Sequence, residues 1–110
     1  MADPKSPIRM TPAFFFLMLS LTESERHGHA MAKDVEDRSG GSVRLGPGSL
    51  YWSLSRLADV AYLKEVDPPE GETDERRRFY ALTRMGREVL AKETATLERI
   101  VDYARLRGVV

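Results

Sequence analysis

Apolar side chains recur along this chain at helical spacing in four places, and two short strand-like segments flank a polar turn. Leu50, Leu54 and Leu57 fall at i, i+4 and i+7, which stacks them on one face of a helix. Pro47 suits a first helical position, because its φ is preset and the N–H it lacks would be unpaired there anyway. The spacing therefore predicts a helix over 47–59. Its other side carries Ser49, Tyr51, Trp52, Ser53, Ser55 and Arg56, a row of hydrogen-bonding and aromatic groups. Upstream, Thr11-Pro12 reads as a cap and first residue of a helix running to about residue 21. Phe14, Phe15, Phe16, Leu17, Met18 and Leu19 make that helix apolar nearly all round, so it is expected to be buried on more than one side and to meet a partner. A charged turn over 23–28 leads into a helix over 29–38, with Ala30, Met31 and Val35 inward and Gly40-Gly41 as its stop.

Residues 43–45 read as a short strand, and residues 62–66 and 77–82 as a hairpin whose polar tip, 67–75, contains Pro68, Pro69 and Gly71. Thr83 can cap a last helix over 84–107. Leu90, Leu97, Val101 and Ala104 line one side of it, with Val89 and Ile100 beside them. At ~1.5 Å per residue it is on the order of 36 Å long, more than so small a core can cover. The expected fold is mainly α with a small β-wing. Residues 1–10, with Pro4 and Pro7, form a flexible N-terminal arm, 11–83 a winged helix-turn-helix, and 84–110 a long C-terminal dimerisation helix.

The chain has 110 residues, 42% hydrophobic and 31% charged, as expected for one folded domain. It has no cysteine, which excludes disulfides and thiolate metal sites and fits a reducing, cytoplasmic setting. The longest apolar run, 13–19, is too short to span a bilayer, and the N-terminus lacks a secretory pattern. No phosphate loop, nucleophile elbow or cofactor motif is present, so neither an enzyme nor a cofactor is expected. Net charge is zero, with 17 basic and 17 acidic residues. Polyanion binding follows the local field, however, and the charges are patchy: Arg76, Arg77 and Arg78 adjoin, and five acids crowd 67–75.

The outer side of the 47–59 helix has the chemistry that a major groove requires. Gly48 lets a phosphate approach closely, and Ser49 sits near a helix N-terminus that favours anions. Tyr51 can bond a phosphate, Trp52 can offer a ring N–H or apolar area to a thymine methyl, and Arg56 can fork onto guanine or phosphate. Partial burial as packing is the competing role for Tyr51 and Trp52. On an alternating strand Arg76 and Arg78 share a face and Arg77 points away, so one arginine face would approach DNA at the wing's base. His29 is a candidate phosphate contact. A metal held by His27 and His29 would need two further carboxylates and is set aside. Phe14, Phe15 and Phe16 could line a ligand pocket, although core packing is the commoner fate of such a cluster.

Thr11-Pro12, His27-Gly28-His29, Leu45-Gly46-Pro47-Gly48-Ser49-Leu50-Tyr51, Arg56-Leu57 and Arg76-Arg77-Arg78-Phe79-Tyr80-Ala81-Leu82-Thr83 with Gly86 together resemble the PadR family of bacterial transcriptional regulators, in its short subfamily with one C-terminal helix. The resemblance implies a homodimeric repressor on a near-palindromic double-stranded operator. It also implies release by a small aromatic or phenolic effector. The C-terminal helix would pack on the partner's N-terminal helix, placing Leu90, Leu97, Ile100, Val101 and Ala104 with Phe14 and Phe15 in the interface. Two departures stand out: His29 where the family often has tyrosine, and Asp59-Val60-Ala61 where a glycine usually makes the turn. A protein–protein module anchored by Tyr51 and Trp52, without DNA binding, is the alternative that zero net charge leaves open.

Overall fold

The computed structural model describes residues 8–110. Of the arm expected over 1–10, residues 1–7 lie outside the described residues, whereas Ile8 and Met10 pack against the core. Four helices and three strands follow in the order α1 (Pro12–Leu19), β1 (Arg26–His27), α2 (Gly28–Arg38), α3 (Pro47–Asp59), β2 (Leu63–Val66), β3 (Phe79–Leu82) and α4 (Arg84–Leu106). The strands form one antiparallel sheet in the order β1-β3-β2, with Leu63 opposite Leu82 and Arg26 opposite Tyr80. This is a winged helix with a long terminal helix.

Local chemistry sets most of the boundaries. The Thr11 side chain accepts the Phe14 N–H at 3.2 Å and opens α1. Helix α2 starts one residue before the spacing predicted. His27 caps it, the ring Nδ1 accepting the Ala30 N–H at 3.3 Å. Gly40 and Gly41 (φ 64° and 82°) close α2, the Gly41 N–H reaching back to the Glu36 carbonyl at 2.8 Å. Ser39 then pins the turn, its hydroxyl accepting the Val43 N–H at 3.0 Å.

Two expectations about strands are corrected. Residues 43–45 form no strand: Val43 is tied to Ser39, and the free edge of β3 is taken by Arg26–His27, from the segment read only as a charged turn. Strand β3 begins at Phe79, so Arg76, Arg77 and Arg78 lie in the turn before it and the alternating-face argument does not apply to them.

One core holds the elements together. Leu17, Met18, Met31, Val35, Leu54, Leu57 and Leu63 are almost fully buried, and Phe14, Leu21, Leu50, Val60, Tyr62, Tyr80 and Leu90 complete the cluster. Each large aliphatic side chain so buried contributes roughly 1.5–3 kcal/mol. Phe14 and Leu90, expected at a dimer seam, lie inside the subunit's own core at 6% and 5% exposure. They have little area left to offer a partner. Phe15 is half-buried. Helix α4 leaves the core after its first two turns, and Leu97, Ile100, Val101, Tyr103 and Leu106 stand exposed along it, with Ala104 half-buried.

Candidate nucleic-acid interface

Helix α3 is amphipathic in a way that separates packing from presentation. Leu50, Leu54 and Leu57 face the core, and Ser53 joins them at 5% exposure. Ser53 was expected on the outer side. It lies three residues after Leu50 and four before Leu57, which puts it in the buried stripe. Outward stand Ser49, Tyr51, Trp52 and Ser55. Tyr51 and Trp52 are 63% and 60% exposed, so their rings present surface rather than fill the interior. Trp52 is nevertheless held in place, stacked on Phe14 of α1 with ring centroids 6.1 Å apart and planes at 23°. Arg56 is half-buried and lies 3.8 Å from Asp59, which makes it the least extended of the α3 candidates.

The N-terminus of α3 is open. Gly46 occupies the cap position, and no side chain bonds the N–H groups of the first turn. A Cβ built at Gly46 or at Gly48 would meet no atom within 4 Å. Neither glycine has a positive φ, so neither is required by the subunit's own packing or backbone. Empty space over unpaired N–H donors at the positive end of a helix is what an approaching phosphate requires.

Tyr51 sits between two grooves. One runs between α2 and the start of α3, lined by His29, Lys33, Glu36, Arg44, Leu45 and Tyr51. The other, of similar volume at about 700 Å³, lies between α3 and the wing, lined by His27, His29, Tyr51, Tyr80 and the three wing arginines with Asp74. The structure thus brings His29, Tyr51, Arg76, Arg77 and Arg78 to one cleft. Trp52, Ser49 and Gly48 line a separate cleft toward α1. Lys33, Arg44 and Tyr80 were not singled out in the sequence. Lys33 carried a readable signal, being four residues after His29 on the same helical face.

His27 links the wing to the helix-turn-helix. Its ring stacks parallel to His29 (centroids 6.4 Å) and meets Phe79 edge-on at 5.5 Å. Partial burial, helped by the nearby Arg77 guanidinium and His29, holds its pKa below the ordinary 6.5, against the opposing pull of Glu72 and Asp74. A neutral ring is the form that can cap α2 through Nδ1. Burial, with Glu65 nearby, pushes the Tyr80 phenol up. Among the described residues, no group of three or more His, Asp or Glu side chains is placed to hold a metal, and no helix is long and apolar enough to cross a membrane.

Known proteins resemble this arrangement in sequence and in shape. A Streptomyces fradiae protein described as an uncharacterized 37.1 kDa protein in transposon TN4556 is 33% identical over 93 residues, 84% of this chain and 25% of that protein. The chain therefore spans about a quarter of the length of that curated relative. A PadR family transcription regulator from Clostridium difficile superposes with a TM-score of 0.73 at 21% identity, over 87% of this chain and 97% of that one. Bacillus subtilis PadR in complex with operator DNA superposes with a TM-score of 0.62 at 18% identity, over 74% of this chain and 45% of that one. These structural likenesses are of fold. The model of the transcriptional regulator PadR-like family matches residues 17–92, from α1 through the wing into α4. That match takes in well over half of the sequence, so the chain belongs to the transcriptional regulator PadR-like family.

Proposed function

We propose that this chain is a cytoplasmic, homodimeric regulator that binds a near-palindromic operator on double-stranded DNA and represses transcription from it. The observation that carries this reading is the start of α3: an uncapped first turn, two glycines with open space above them, and Ser49, Tyr51 and Trp52 turned outward from a helix whose Leu50, Leu54 and Leu57 are buried. Helix α3 of each subunit enters the major groove of one half-site, the two half-sites lying about one helical turn, ~34 Å, apart. His29 and the wing arginines take the backbone beside it. The exposed apolar face of α4, with Leu97, Ile100 and Val101, supplies the two-fold contact. A small aromatic or phenolic effector that alters the spacing of the two α3 helices lowers affinity for DNA by the same factor that DNA lowers affinity for it.

The test is a footprint and a salt titration on the DNA flanking the chain's own gene, with Gly48→Val beside the wild type. A protected palindrome, with affinity falling steeply in salt, is expected. Gly48→Val should fold normally, because its Cβ meets nothing within the subunit, and should lose that protection. Binding by the variant equal to wild type would overturn the role of the α3 start. The exposure of Tyr51 and Trp52 favours one other reading, an aromatic-anchored protein–protein module. Protein partners captured with no DNA protection at any salt would favour that reading instead.

A further inference from the structure

For a nucleic-acid-binding element the wing carries the wrong net sign: residues 63–82 contain six acidic and four basic side chains. Each of its arginines already faces a carboxylate. Arg76 Nε lies 3.3 Å from Asp74 Oδ1, and Arg77 Nη1 lies 3.3 Å from Glu72 Oε1. The Arg77 Nε is 3.8 Å from Asp74 Oδ2, and Arg78 Nη1 is 3.9 Å from Glu65 Oε1. Two of these carboxylates are fixed by the backbone. Asp74 Oδ1 accepts the Arg76 N–H at 2.9 Å, and Glu72 Oε1 accepts the Asp74 N–H at 3.0 Å. The acid side chains are 14% (Glu72) and 32% (Asp74) exposed, against 46% for Arg77 and 92% for Arg76. The carboxylates are thus the anchored inner layer and the guanidiniums the outer one.

A carboxylate and a phosphate compete for the same guanidinium N–H fork. We propose that Glu72 and Asp74 are built-in stand-ins for DNA phosphate, occupying Arg77 and Arg76 and holding down sequence-independent binding. The wing then engages a duplex only by exchanging an internal carboxylate for an external phosphate. This rests on the DNA-binding reading above. Sequence-independent affinity comes from phosphates neutralised, and its salt dependence scales with their number. A wing that neutralises itself adds little to either quantity. Exposed ion pairs are individually weak, so the exchange is reversible when α3 brings the wing against a duplex.

The double variant Glu72→Gln/Asp74→Asn tests this. Both replacements keep the oxygens that accept the loop N–H groups and remove only the charges. The probe is a short fluorescent duplex of random sequence, titrated by anisotropy at several salt concentrations. Glu23→Gln/Glu25→Gln, which removes the same charge from the turn between α1 and β1, serves as control. The wing variant is expected to bind the random duplex roughly fivefold tighter than wild type, with a salt slope steeper by up to about two. The control should change neither by as much. Adding Arg76→Ala and Arg77→Ala to the wing variant should abolish the gain, which a merely structural effect on the loop would not. Equal gains in wing and control variants, no gain in the wing variant, or a gain that survives loss of both arginines would each overturn the proposal. If neither wild type nor the wing variant binds any duplex at low salt, the DNA-binding reading falls and takes the proposal with it. Loss of the proposal alone is recognised when wild type still binds the duplex in a salt-dependent way and one of those three outcomes is found.

Discussion

A Cβ at Gly86 would stand 2.2 Å from the backbone oxygen of Tyr62, so the first turn of α4 presses directly on the chain entering β2. Thr83 ties the same junction: its N–H donates to the Tyr62 carbonyl at 3.0 Å and its hydroxyl oxygen accepts the Gly86 N–H at 2.9 Å. Backbone cannot step aside as a flexible side chain can. Gly86→Ala is expected to destabilise the fold by about 3 kcal/mol, through overpacking against a rigid neighbour. Urea denaturation followed by circular dichroism checks this, and a variant within experimental error of wild type would contradict it.

Helix α3 ends in the Asp59-Val60-Ala61 turn, which contains no glycine. The Ala61 backbone adopts φ 64°, and the N–H groups of Ala61 and Tyr62 bond the carbonyls of Ala58 and Leu57 at 3.0 and 2.9 Å. This is the same glycine-type helix stop that Gly40 and Gly108 make, built here on a residue with a Cβ. Left-handed backbone costs an alanine about 1–2 kcal/mol, and a glycine loses part of the relief to its freer unfolded chain. Ala61→Gly should therefore stabilise the protein by about 0.5–1 kcal/mol, read as a higher urea midpoint at unchanged slope.

The cap on α2 is a titratable one. His27 is surrounded by Arg77 and His29, which disfavour its protonation, and by Glu72 and Asp74, which favour it; burial decides the net downward shift. Because the folded pKa is depressed, its contribution to stability is fully present above the unfolded value of 6.5 and is lost as pH falls through 6.5 toward the lower folded value. Protonation also removes the Nδ1 acceptor from the Ala30 N–H. His27→Asn keeps an acceptor and does not titrate. The loss of thermal stability between about pH 7.5 and pH 5.5 should be smaller in this variant than in wild type. Equal losses would remove His27 from the account.

Val101 is 42% exposed and Ile100 57% exposed on a helix face left open by the described residues. An aspartate there costs the isolated chain little and the proposed two-fold interface much. Val101→Asp should leave the circular dichroism spectrum intact and raise the dimer dissociation constant by at least about 100-fold, since burying an unpaired charge costs several kcal/mol. Sedimentation equilibrium checks it, and an unshifted association would mean a different seam.

Helix boundaries were legible because their causes are local. Thr11-Pro12, Pro47 and Thr83 each act on the three or four residues that follow them, and the helices begin where those residues direct. The strand Arg26–His27 was not legible. Two residues carry no periodicity, and the strand exists only because Tyr80 and Phe79 lie alongside it. The near-complete burial of Ser53 was readable from its spacing, but its hydroxyl drew it to the polar side. Which phenylalanine of the Phe14-Phe15-Phe16 run enters the core could not be read from a helix apolar all round; Phe14 is the one that joins the buried cluster, with Trp52 stacked on it. At the candidate interface the exposed rings followed from their position opposite the leucine stripe. The arginine partners did not, since Arg77 sits between Glu72 and Asp74 through the path of the tip loop.

Helix α4 is rooted over two turns at Gly86 and Leu90 and projects beyond them as a lever. With a rise of ~1.5 Å per residue the arm beyond Leu90 is about 24 Å long, so a tilt of about 5° at the root swings the far tip by about 2 Å. The Thr83–Tyr62 knot welds that root to the base of the wing. A modest change in the angle of that arm is therefore geared, without any unfolding, into a rigid-body turn of the winged helix as a whole.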